Sequence, residues 1–239
     1  MSRIAIFSDI HSNWEALETA HDYSKTQSVQ RYAVLGDSVG YGANPNECFD
    51  WVVKNAHLNL MGNHEKALID IKLRDWFGPL AREAIEWTDK VFDRGLIKDI
   101  IPLPYVHVGK EISFAHASLA EPERYPYIFS YADAKPCFKR MTSPICLIGH
   151  THVPGCYCQQ TQSATYLKPG KIFLERSEKY LLNPGSVGQP RDQDPRLSFG
   201  IFDEEEYSFE IVRLDYDNAK AAQKIRNAGL PAYLADRLL

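Results

Sequence analysis

Short apolar runs alternate with amphipathic stretches along the first third of the chain. Residues 3–7 (RIAIF), 31–35 (RYAVL) and 57–61 (HLNLM) each read as a short buried strand. Behind the first, Ser12 and Glu15 form a capping-box pair opening a helix that carries Leu17, Ala20 and Tyr23 on one face. Behind the second, Asn44, Pro45 and Glu47 read as cap, first-turn proline and capping acid of another helix. Strand, polar loop and helix in repetition predict an α/β architecture. From Lys66 to Ile101 the apolar positions take helical steps (Ala67, Leu68 and Ile71, then Leu80, Ala84, Ile85 and Thr88). This stretch is either a helical pair packed on the sheet or a helical cap at 66–101 over a cleft.

Further on, Gly109-Lys110 joins YVHV to EISFA as a hairpin with glycine first. The polar, aromatic segment 118–143 fits the wall of a cleft and holds a short helix from Asp133 to Arg140, and 145–148 is another strand. Short strands near 155–160, 171–174, 180–182, 198–202 and 209–214 predict a second, antiparallel sheet. The tail from Asn218 to Leu239 returns to a helical period, interrupted by Gly229 and Pro231. No internal repeat, low-complexity block or linker divides the chain, so residues 1–239 read as a single domain, within the usual size for one core.

No apolar run approaches the ~18 residues needed to cross a bilayer, and Met1 begins no charged-then-apolar leader, which predicts a cytoplasmic protein without a membrane partner. The net charge of -4, with no dense Lys/Arg block, gives no extended nucleic-acid surface. Cys48, Cys137, Cys146, Cys156 and Cys158 contain no Cys-x-x-Cys pair and are expected as free thiols.

The candidate chemistry lies in the loops that follow the strands: Asp9 and His11 in SDIHSN, Asp37 in GDSVGYG, Asn63 and His64 in GNHE, His116 in AHAS, and His150 and His152 in GHTH. In extended chain, residues i and i+2 project to one side, so Asp-x-His and His-x-His form two-pronged grips. Asp37, flanked by small residues, is the candidate to bridge two cations. Two divalent ions against the carboxylates of Asp9 and Asp37 leave a net positive cavity that attracts an anion. Oxygen and nitrogen donors without thiolate suit Mn, Fe, Zn, Co or Ni.

As a set and in this order, these motifs resemble the calcineurin-like metallophosphoesterases. The compact length and NPGSVGQPR look most similar to small prokaryotic phosphodiesterases and relatives of the diadenosine tetraphosphatase group. The resemblance implies a four-layer α/β/β/α sandwich of two mixed sheets with a dimetal site at its loop edge. Asp9, His11, Asp37 and His152 would bind one divalent transition metal, and Asp37, Asn63, His116 and His150 the second. A metal-bridging hydroxide would attack a small-molecule phosphodiester or phosphomonoester, with His64 as general acid and Asn63 and Asp37 beside it. Protein phosphatases of the superfamily carry Asp-Arg-Gly after the bridging acid. Here Gly40, Tyr41 and Gly42 stand there, which turns the reading away from protein substrates and leaves His64 without an evident orienting acid. Arg191 is the candidate to grip phosphate, and Asn13 a second substrate contact. Asn183 and Ser186 either hold the ligand loops or simply make a turn. Two other readings are kept: a catalytically silent binding scaffold on the same fold, and a nuclease acting on nucleic-acid ends.

Overall fold

The computed structural model describes residues 3–239; the expectation about a leader at Met1 lies outside the described residues. Along the chain run β1 (Arg3–Phe7), α1 (Trp14–Thr26), β2 (Arg31–Val34), α2 (Pro45–Asn55), β3 (Leu58–Asn59), α3 (Asn63–Ile69), α4 (Pro79–Val91), α5 (Ile97–Ile100), β4 (Val106–Val108), β5 (Ile112–Ala115), α6 (Tyr131–Arg140) and β6 (Ile145–Leu147). There follow β7 (Pro154–Cys158), β8 (Ser163–Tyr166), β9 (Gly170–Phe173), β10 (Tyr180–Pro184), β11 (Leu197–Asp203), β12 (Ser208–Leu214), α7 (Asn218–Asn227) and α8 (Ala232–Asp236).

They build two six-stranded mixed sheets, ordered β3-β2-β1-β11-β12-β9 and β4-β5-β6-β10-β7-β8. The strand period of two decides which way each side chain faces. From β1, Ile4 and Ile6 point between the sheets, where they meet Leu147, Leu182 and Phe209, whereas Ala5 and Phe7 point outward to Leu17 and Trp51 of α1 and α2. On the other sheet Cys146 and Leu181 face Phe138 of α6. Helix, sheet, sheet and helix thus make the four layers expected of the resemblance.

Three local expectations shift. The first helix is capped by Asn13, whose side chain accepts from Ala16 N, whereas Ser12 stands in left-handed backbone at φ 55. The hairpin pairs Val108 with Ser113, so its turn centres on Lys110-Glu111, one residue later than the glycine suggested. The C-terminal strands do not form a sheet of their own. β11, β12 and β9 extend the sheet of β1, while β7, β8 and β10 complete that of β6, with β10 parallel to β6. The parallel strands β1, β2, β5 and β6 end on the same side, and so do the loops that follow them. Ligand crevices of open α/β sheets lie at these carboxyl ends.

Candidate metal centre

Every motif histidine and carboxylate converges in one buried cluster. The ligand atoms of Asp9, His11 and His152 lie within 4.8 Å of one another, as do those of Asp37, His116 and His150. His152 Nε2 stands 3.2 Å from Asp9 Oδ1 and His11 Nε2 3.8 Å from Asp37 Oδ2, on the other side of which His116 Nε2 lies at 3.4 Å. Asn63 Oδ1 is 3.3 Å from His116 Nε2, and His150 Nδ1 3.2 Å from the same atom. Asp37 Oδ2 therefore faces both groups.

The remaining hydrogen bonds test whether this donor set fits cations. His11, His116 and His152 each put Nδ1 against a backbone carbonyl, of Val39, Leu35 and Gln189 respectively. With the proton held there, each Nε2 offers its lone pair inward, the arrangement that fixes tautomer and ring orientation in metal sites. Asp9 accepts from Ser8 Oγ and His150 N through Oδ2, so Oδ1, buried without a hydrogen-bond partner, is free to ligate. Asp37 accepts from His64 N through Oδ1 and keeps Oδ2. The residues fit two cations sharing Asp37.

Backbone geometry here is unusual. Asp9, His11, Asp37, His150 and His152 all have positive φ, between 48° and 67°, a region that costs L-residues roughly 1–2 kcal/mol each. Glu65 secures one of the bends: its buried carboxylate accepts from Asp37 N, Ser38 N and Gly62 N, tying GNHE to the loop after β2. Burial, reinforced by the Asp37 charge, pushes Glu65 up to about 7. Nothing in the motif spelling marks that role, because two of its three partners, Asp37 and Ser38, lie on another loop. Gly62 must be glycine, since a Cβ there would strike Asp37 Oδ1.

Burial also lowers the imidazoles, His64 to about 4 and His150 to about 3. His116 is the exception: burial acts against its charge, but Asp37 and then Asp9 outweigh that and hold it up at about 9. Its proton would be exchanged on cation binding.

Beside the cluster opens a cleft of about 450 Å³, lined by Asn63, His64 and His150 at its floor. Among the described residues no carboxylate hydrogen-bonds the His64 ring, although that of Asp37 lies within 4.8 Å of it; the ring is packed between Tyr41 (4.7 Å) and Phe77 (5.0 Å), with Nδ1 turned in against Gly40. Gly40 has φ 85°, and a Cβ there would occupy the ring's position. Arg191 reaches the same cleft and lies over the Tyr41 ring. Asn13 does not: it caps α1 and donates to Gly188 O and Tyr216 Oη, which leaves no polar atom for a substrate. Asn183 donates to Gly149 O and Thr151 Oγ1, and Ser186 to Asp9 O, so both hold ligand loops. The segment 71–81 supplies Leu73, Trp76 and Phe77 to the opposite wall, and Tyr125 and Tyr127 close the side.

The profile of the calcineurin-like phosphoesterase superfamily domain matches residues 2–207. This chain belongs to that superfamily. It is 39% identical to an uncharacterized protein of Methanocaldococcus jannaschii over 99% of this chain and 97% of the relative. Among solved structures, a metallophosphoesterase from Sphaerobacter thermophilus is 33% identical with a TM-score of 0.87, covering 99% of this chain and 98% of that one. A hypothetical protein of Pyrococcus horikoshii OT3, at 17% identity and a TM-score of 0.79, covers 100% and 98% and shares the fold. Among the described residues no helix is long and apolar enough to cross a membrane, and the five cysteines are free.

Proposed function

We propose that the chain hydrolyses a small-molecule phosphoester with two divalent transition-metal ions held by Asp9, His11, Asp37, Asn63, His116, His150 and His152. The observation that carries this reading is the set of hydrogen bonds around the cluster, which leaves one ligand atom each on Asp9, His11, Asp37, His116 and His152 aimed at a common centre. When bound, such ions supply a water acidified toward neutral pH and positive charge for the phosphoryl oxygens.

The chain's own groups do the rest. Arg191 offers a guanidinium to a phosphoryl oxygen. His64, next to the ligand Asn63, lines the cleft and is placed to hold a proton toward the leaving oxygen. Tyr41 and Phe77 hold its ring in place, and the segment 71–81 acts as a partial cap that sets which substituents fit. The complete ligand set supports hydrolysis over a silent scaffold. A cleft of about 450 Å³ is the size of a small-molecule site and favours that class over a nucleic-acid end.

Protein stripped with chelator and reloaded with Mn, Ni, Co or Zn should turn over bis(p-nitrophenyl) phosphate. Asp37→Ala and His150→Ala should lose at least a hundredfold in kcat/KM while keeping their circular dichroism spectra, on the scale of effects expected at metal sites. Equal turnover by the stripped variants would refute the mechanism.

A further inference from the structure

The lining of the cleft contains three arginines, Arg124, Arg191 and Arg237, and no carboxylate, although the whole chain carries a net charge of -4. Arg124 is 3.7 Å from Glu121. Arg191 and Arg237 instead share a neutral partner: Arg191 Nη2 lies 3.1 Å and Arg237 Nη1 3.5 Å from Gln189 Oε1. No ion pair is found for either among the described residues, and Arg191 Nε is buried without a hydrogen-bond partner. Two guanidinium groups gathered on one amide oxygen repel each other, and an anion placed between them relieves that repulsion.

The pair is also held ready. Arg237 donates to Tyr233 Oη at 2.9 Å and lies 4.9 Å from the centre of the Tyr233 ring. Tyr233 lies in α8 and Arg237 directly follows that helix, and this stretch is anchored by buried Leu234, Ala235 and Leu238. Arg191 is fixed likewise, its backbone N donating to His152 O beside the metal cluster and its guanidinium stacked over Tyr41. Arg191 thus stands between the candidate metal centre and Arg237.

We propose that Arg191 and Arg237 form a second anion subsite, so that the substrate carries a further phosphate beyond the scissile one, in a short phosphoanhydride-linked chain. This rests on the phosphoesterase reading, with Arg191 reaching both positions and Arg237, from the C-terminal tail, serving the distal phosphate. An isolated phosphomonoester would leave Arg237 unused. An oligonucleotide would have to continue out of a cleft sized for a small molecule.

Binding to the metal-free protein tests the subsite without turnover. By titration calorimetry in chelator, tripolyphosphate should bind at least tenfold more tightly than orthophosphate. Arg237→Ala should reduce that preference to less than threefold, and Arg237→Lys should restore part of it. An unchanged preference in Arg237→Ala, with an unchanged melting temperature, overturns the proposal, as does a wild-type protein that binds both anions alike or prefers a short single-stranded oligonucleotide. Turnover of bis(p-nitrophenyl) phosphate by the metal-loaded wild type separates the two readings. Turnover without tripolyphosphate preference removes only the subsite, and preference without turnover removes only the hydrolase.

Discussion

At the scale of single residues the site is dominated by groups that are buried and held away from their solution charge. In metal-stripped protein, burial keeps His11, His64, His150 and His152 below the ordinary imidazole range. Unfolding exposes them, and below about pH 6.5 each then takes up a proton. Folded values below unfolded ones mean that acid favours the unfolded chain, so stability should fall as pH drops from about 6.5 toward 4. Glu65, raised to about 7, opposes this, and His116, held at about 9, adds a smaller opposing part near pH 6.5 where the unfolded imidazole is only half protonated, so four groups still outweigh two. A melting temperature of chelated protein that stays level from pH 6.5 to 4.5 would contradict this. Glu65 itself is the anchor of the loop after β2. Glu65→Gln puts an amide N–H against backbone N–H donors and should cost about 2 kcal/mol, read from denaturant midpoints. It should also weaken metal binding measured by competition with a chromophoric chelator.

At the scale of elements, the segment 71–81, from just after α3 into the first turn of α4, contributes more than packing. Phe77 holds one side of the His64 ring, so Phe77→Ala should lower kcat for an aryl diester by roughly three- to tenfold with a smaller change in KM, the range of a lost aromatic contact. A change confined to KM would assign Phe77 to substrate binding alone. The strand–loop–helix units were legible in the sequence because each is a local pattern: an apolar run, a polar turn carrying Asp or His, then a helical period. What escaped was whatever depends on distant partners. β11 inserts beside β1 by pairing Arg3 with Asp203, and alternation along either strand says nothing of which sheet it joins. β8 (SATY) is short and mostly exposed, so no apolar run marks it in the sequence. The spelling of the chain does not mark the carboxylate of Glu65 or the guanidinium of Arg237, because Ser38 meets one and Gln189 the other only in the fold.

At the scale of the whole molecule, the metal cluster is a clasp across the sandwich. Asp9, His11 and Asp37 follow strands of one sheet, and His116, His150 and His152 follow strands of the other. Cations held here should stabilise both sheets together. At a hundredfold excess over Kd, one site contributes about 2.7 kcal/mol, so reloading stripped protein should raise the melting temperature by roughly 5 °C or more. A melting temperature indifferent to chelator would show that the cluster binds nothing. The left-handed backbone at five of these side chains carries a consequence for inheritance. Glycine or asparagine would relax each of those bends, so a lineage screened for heat resistance alone, without metal or substrate, would drift toward them at positions 9, 11, 37, 150 and 152. Such descendants would keep the sandwich and lose the centre. Their sequences would look like better-folded relatives of this chain while having forgotten what its strain was for.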